Sequence, residues 1–132
     1  MIFFVDGASQ GNPGHAGIGV VVYDDDGRCI KRISKYIGKA SNNVAEYSAI
    51  NLALSEAFIL KAAAITIKTD SELVARQLSG QYKVKSDNLK PLYIQARHLI
   101  DALDEVKIVH IKRHLNKEAD RLATLAVDEH TS

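Results

Sequence analysis

Tryptophan is absent from the chain, and cysteine occurs once, at Cys29, in 132 residues. A single thiol excludes an intrachain disulfide framework and suits a reducing compartment. No apolar run reaches the roughly 18 residues that a membrane-spanning helix needs. The start, MIFFVDG, meets an acidic residue at Asp6, too early for a secretory leader. Internal repeats, low-complexity tracts and Pro/Gly/Ser linkers are also lacking, so nothing divides the chain. Charge of one sign is lacking as well: 17 Lys and Arg stand against 16 Asp and Glu, for a net charge of +1. Any surface for a polyanion must therefore be built locally. These absences lead to the expectation of one cytoplasmic domain over residues 1–132, with no membrane contact. With 46% hydrophobic residues, the chain has enough material for a sizeable core.

What is present reads as alternating strands and helices. Residues 2–6 form an apolar strand that is expected to end at a glycine-rich loop, residues 7–14. Residues 17–23 are a second β-branched run, and the turn DDDG at 24–27 precedes a third strand over 28–37. Ser41, Asn42 and Asn43 are good capping residues before a helix over 44–60, where Tyr47, Ile50, Leu54 and Phe58 recur at helical spacing. A fourth strand covers 64–70, a short helix 71–79, and Leu89, Leu92, Ala96, Leu99 and Leu103 mark another helix. A fifth strand over 106–111 and a last helix over 116–127, with Ala119, Leu122, Ala123 and Ala126 on one face, complete the order βββαβααβα. This is an α/β class chain: a five-stranded mixed sheet covered by helices.

Chain direction then brings chemistry together. Short connections make the first three strands antiparallel, so the third runs with the first. A helical crossover from the third makes the fourth parallel to both. Asp6 and Asp70 therefore end neighbouring strands at one edge of the sheet. The helix after the third strand starts at that edge and carries Glu46, and the last helix carries Asp120 in its early turns. Four acids spread along the sequence are expected to converge where open sheets place their sites. Each alone could be a helix cap or a solvated surface charge. As a group they repel and need protons or a cation. Oxygen ligands without Cys or His at ligand spacing select Mg²⁺ or Mn²⁺ over Zn²⁺, and two such ions can serve phosphodiester hydrolysis.

Four segments carry a family resemblance. Residues 6–14 (DGASQGNPG) with 17–20 (GIGV), residues 41–46 (SNNVAE), residues 69–71 (TDS) and residues 116–123 (NKEADRLA) resemble, in order, the blocks of type 1 ribonuclease H. The resemblance covers nearly the whole chain. It implies a ribonuclease H-like fold with strand order 3-2-1-4-5 and an endonuclease that cuts the RNA strand of RNA/DNA hybrids. It further implies two Mg²⁺ ions (Mn²⁺ substituting), 5′-phosphate and 3′-hydroxyl products, no sequence preference and a part in removing replication primers. By position, Asp6, Glu46, Asp70 and Asp120 are the implied metal-binding catalytic acids. Asp6 would bridge both ions, Glu46 and Asp70 would complete one site and Asp120 the other, with Glu46 near a ribose 2′-hydroxyl. Asn12, Ser41 and Asn42 are the implied contacts to the DNA strand, and Ser9, Gln10 and Asn43 those along the minor groove. Gly7 belongs to the same substrate-binding stretch, where its first duty is the backbone turn. The capping and binding roles of Asn42 and Asn43 are compatible.

Departures from the family pattern shape further expectations. His114 stands six residues before Asp120, on what reads as a shortened loop, as a candidate proton shuttle; its replacement by alanine should slow turnover without abolishing it. The bland alternative is a surface histidine beside a basic segment. Glu72 falls where some relatives contact substrate through glutamine. The family's Lys- and Trp-rich handle is missing, leaving Tyr82, Lys83 and Lys85 as candidate phosphate contacts. Two basic stretches, 28–39 and 107–121, are the other candidate footprints or simply solvated faces. Cys29 reads as a half-buried strand residue. The chain is expected to act alone, as a monomer without an obligate protein partner. Two alternatives remain open: a nuclease of the same fold that also cuts double-stranded RNA, and a catalytically silent hybrid-binding module.

Overall fold

β-branched and aromatic residues crowd the first forty positions, and they pair as three long antiparallel strands. In the computed structural model, which describes residues 1–132, these are β1 (Ile2–Gly11), β2 (Gly14–Tyr23) and β3 (Cys29–Ala40). There follow α1 (Asn42–Ile59), β4 (Ala64–Thr69), α2 (Glu72–Leu78), α3 (Lys90–Ala102) and β5 (Glu105–His110). A 3₁₀ turn (Arg113–Leu115) leads into α4 (Lys117–Thr131). The sheet order is β3-β2-β1-β4-β5, with β1, β4 and β5 parallel and β2 antiparallel to its neighbours. Element order, strand order and strand directions all agree with expectation. No helix is long and apolar enough to cross a membrane.

Alternation along the strands sends side chains to two layers. Phe3, Val5, Ile18, Val20 and Ile67 point toward α1 and α3, where they meet Tyr47, Ile50, Leu54 and Ala96 in the main core. Burying each large apolar side chain there contributes about 1.5–3 kcal/mol. Val21 faces the other way, against Ala119 and Leu122 of α4.

The glycine-rich segment is not a loop. Asp6 to Gly11 continue β1, paired with β2 from Asp6↔Gly19 to Gly11↔Gly14, and only Asn12 and Pro13 turn the chain. The physical reason lies in the helices above and below. A Cβ at Gly7 would overlap the Ala45 backbone of α1, and one at Gly19 would overlap the Ala119 carbonyl of α4. These glycines let both helices settle onto the sheet, so the helices that carry Glu46 and Asp120 reach the strand that carries Asp6. The α1 stripe also differs from expectation at its end. Ala53 and Ala57 are buried, whereas Phe58 is 57% exposed, because the 3.6-residue period brings position 57 under the turn above rather than 58. Cys29 is half-buried at the start of β3, as expected.

Candidate active site

The β1–β4 ladder ends at Val5↔Thr69. Asp6 and Asp70 are therefore the first residues beyond it on adjacent strands. Glu46 lies one turn into α1, whose start is fixed by Ser41: its hydroxyl accepts a hydrogen bond from the Val44 N–H at 3.2 Å. Asp120 comes from the first turn of α4, where its N–H donates to the Asn116 carbonyl. Asn116, 2% exposed, anchors that turn by donating from Nδ2 to the Val5 carbonyl at 2.8 Å. Its amide thus ties the Asp120 helix to the residue before Asp6.

Ligand oxygens of Asp6, Glu46 and Asp70 lie within 4.8 Å of one another. Asp120 lines the same cleft, which has a volume of about 500 Å³. Burial pushes the Asp6 carboxyl far above the usual carboxylate range, and Glu46, Asp70 and Asp120 push it further. Burial also lifts Glu46, to about 7, although the Thr69 hydroxyl and the Gly7 N–H both favour its charged form. Gly7 donates to Glu46 Oε2 at 2.9 Å, and Thr69 Oγ1 donates to Oε1 at 2.5 Å. No ion pair reaches any of the four acids. Crowded, desolvated carboxylates without an ion-pair partner have the donor set for a hard divalent ion.

The expected substrate contacts divide into two groups. Gly7, Ser9, Asn42 and Asn43 line the cleft together with the acids. Ser41, Asn12 and Gln10 do not. Ser41 caps α1, and the Asn12 side chain accepts from the Asn42 N–H at 3.0 Å. The Asn42 side chain in turn accepts from the Ser9 N–H at 3.1 Å, so the hairpin and the start of α1 are stitched into one rim. Gln10 points to the opposite face, where its amide donates to Asp128 of α4 at 3.3 Å.

His114 sits exposed on the 3₁₀ turn, and its neighbour Arg113 is the one cationic side chain in the cleft lining. On so tight a turn, adjacent side chains point in different directions, which spacing alone did not distinguish. Glu72 is held away from the cleft by a 2.9 Å ion pair with Arg76. Sequence reasoning gave no role to Thr69, Ser71 or the Asn116 side chain, and took Arg113 only as one of the basic residues of 107–121. For Thr69 a signal existed, since a hydroxyl next to a strand-end acid is well placed to hold a neighbouring carboxylate. For Arg113 the signal was its place in that basic stretch, and for Asn116 the sequence carried none beyond proximity to Asp120.

Comparison with known proteins gives consistent results. A family model described as reverse transcriptase-like matches residues 4–126. Ribonuclease HI of Halobacterium salinarum is 38% identical over 126 residues, which is 96% of this chain and 63% of that protein. A bifunctional protein of Mycobacterium tuberculosis is 41% identical over 129 residues; this chain spans only 35% of its length. Among solved structures, RNase H1 from Halobacterium salinarum superposes with a TM-score of 0.94 at 38% identity, with 97% of each chain covered. LC11-RNase H1, solved in complex with an RNA/DNA hybrid, gives 0.93 at 38% identity, with 99% of each chain covered.

Proposed function

Because this chain belongs to the type 1 ribonuclease H family, we propose that it is an endonuclease that hydrolyses the RNA strand of RNA/DNA hybrids. The observation that carries this reading is the convergence of Asp6, Glu46, Asp70 and Asp120 in one cleft, none of them neutralised by an ion pair. Two Mg²⁺ ions, with Mn²⁺ able to replace them, are the cofactors that Asp6, Glu46, Asp70 and Asp120 would hold. When bound, they supply a water acidic enough to attack at neutral pH and positive charge beside the leaving oxygen.

The chain's own residues do the rest. Asp6 and Glu46 are desolvated and crowded, so divalent charge is favoured there over solvent. Ser9, Asn42 and Asn43 offer neutral hydrogen-bonding groups along the rim. Such groups suit a sugar edge and a 2′-hydroxyl, which separate RNA from DNA without reading base sequence. Arg113 contributes positive charge to the cleft, and its guanidinium is suited to a phosphate oxygen. His114 keeps its proposed part as a proton shuttle reached through motion of the exposed turn. Ser41 and Asn12 support the DNA-facing rim in this reading, Ser41 by capping α1 and Asn12 by holding the Asn42 N–H, whereas Gln10, turned to the opposite face, takes no part in it. The protein works as a monomer in the cytoplasm, on hybrids left by replication among others.

The test is incubation with an end-labelled RNA/DNA hybrid, with Mg²⁺, with Mn²⁺ and with chelator, beside matched double-stranded RNA and double-stranded DNA. Cation-dependent cutting confined to the hybrid's RNA strand supports the proposal. Cutting of double-stranded RNA as well moves it to the broader nuclease. Binding without cutting under either cation leaves a silent module. Asp70→Asn should lower kcat by about a thousandfold or more while hybrid binding persists. Cutting by that variant at the parent's rate would refute the assignment of the acids.

A further inference from the structure

Thr69 is the last residue of β4 and is fully buried. Its backbone is locked in the sheet, opposite Val5 on one side and His110 on the other. Its carbonyl also accepts from the Ile111 N–H at 2.8 Å. The hydroxyl is committed in both directions. It accepts from the Ser71 N–H at 3.1 Å, and an amide N–H can only donate. The hydroxyl hydrogen is thus left for Glu46 Oε1, 2.5 Å away. Gly7 N–H occupies the other carboxylate oxygen at 2.9 Å. Two donors from two different strands therefore fix the rotation of a side chain that belongs to α1.

The same hydroxyl shapes the residue after it. By holding the Ser71 N–H, Thr69 closes the turn that carries Asp70, and Ser71 then caps α2 by accepting from the Val74 N–H at 3.2 Å. One oxygen thus joins the supports of Glu46 and of Asp70. A strand side chain whose only need was to fill space would be served as well by valine, which is nearly isosteric and favoured in strands.

We propose that Thr69 is a positioning residue of the cation site, aiming the Glu46 carboxylate and setting the Asp70 turn through its single hydroxyl. This rests on the metal-site reading above and deepens it. Groups that orient metal ligands typically account for a tenfold to hundredfold share of metal affinity.

The experiment is calorimetric titration of Mn²⁺ and Mg²⁺ into the parent, Thr69→Val, Thr69→Ala and Thr69→Ser, with melting temperature and steady-state hybrid cleavage measured alongside. The expected result is a loss of cation affinity of about tenfold or more in the Val and Ala variants, with Ser close to the parent. The corresponding kinetic result is a lower kcat with KM for the hybrid changed little. Thr69→Ala relieves any crowding that the second valine methyl introduces, so at least one hydroxyl-free variant can be read. In a Glu46→Gln background, removal of the hydroxyl should cost little further affinity, because its main target has already been altered. Parent-like cation affinity in a folded Val or Ala variant, whatever its melting temperature, would overturn the proposal. If the parent itself binds no divalent cation, it is the metal reading that fails, and the two failures are told apart by the parent's titration.

Discussion

Replacing Asp6 by asparagine should stabilise the cation-free protein, and by more as pH rises. Asp6 is 6% exposed and faces three other carboxyls, so its folded pKa lies well above its unfolded one. Glu46 is raised from 4.5 to about 7. A carboxyl with a raised folded pKa retains its proton longer in the native state than in the unfolded chain. The native state is then favoured at low pH, and that advantage is lost as pH climbs from the ordinary carboxylate range through the folded value. Each retained proton is worth about 1.4 kcal/mol per pH unit. For Glu46 the window from 4.5 to about 7 corresponds to about 3 kcal/mol, and Asp6 titrates over a wider range still. The cleft is open to water, so a gain of about 2 kcal/mol is the realistic expectation for Asp6→Asn near pH 8. For a chain of this size that is roughly 8 °C in Tm. Differential scanning calorimetry in chelator, at about pH 5 and about pH 8, measures it. The parent's Tm should fall between the two pH values more steeply than the variant's. Divalent cation should raise the parent's Tm and barely move the variant's, since a ligand stabilises only the state that binds it. The reasoning fails if Asp6→Asn melts below the parent at the higher pH in chelator. It fails equally if the two proteins differ by the same amount at both pH values.

Three further outcomes follow from the geometry. Arg113→Ala should weaken hybrid binding more than His114→Ala does and reduce the salt dependence of binding by about one phosphate contact, seen in affinities measured across a salt series; His114→Ala should lower turnover about tenfold with binding unchanged. Gly19→Ala should destabilise the fold by about 2–3 kcal/mol, because its methyl meets the Ala119 backbone of α4; a denaturant midpoint equal to the parent's would show that α4 yields at no cost. Asn116→Ala should cost about 1–3 kcal/mol through loss of the buried bond to Val5, and its effect on cation affinity, read by titration, should exceed that of any surface substitution on α4.

Much of the site was legible in the linear chain because direction in a sheet is a matter of parity and connection length. Three short-linked strands followed by a helical crossover leave few ways to run, and each puts Asp6 and Asp70 at the same edge. Helices leaving that edge carry their early residues there, which located Glu46 and Asp120. The four blocks resembling type 1 ribonuclease H pointed to the same four acids independently. The α1 stripe was legible through Leu54 and then drifted, since steps of three and four accumulate rotation that only packing resolves.

Tertiary structure decided what depends on close approach and on the direction of single side chains. Gly7 looks like a turn former in a string of letters, yet it serves, as Gly19 does, a strand pressed under a helix, because their missing Cβ atoms are the space that Ala45 and Ala119 occupy. Arg113 and His114 are adjacent in sequence, but only the path of the 3₁₀ turn determines which of them lines the cleft. Thr69 stands next to a strand-end acid in the sequence, but which carboxylate its hydroxyl holds is decided only when α1 brings Glu46 within 2.5 Å. Residue type and order therefore determined the fold and brought the four acids to one edge of the sheet. The positions of the groups that hold those acids in place were set by packing between segments distant in sequence, where shifts of an ångström decide which hydrogen bonds form.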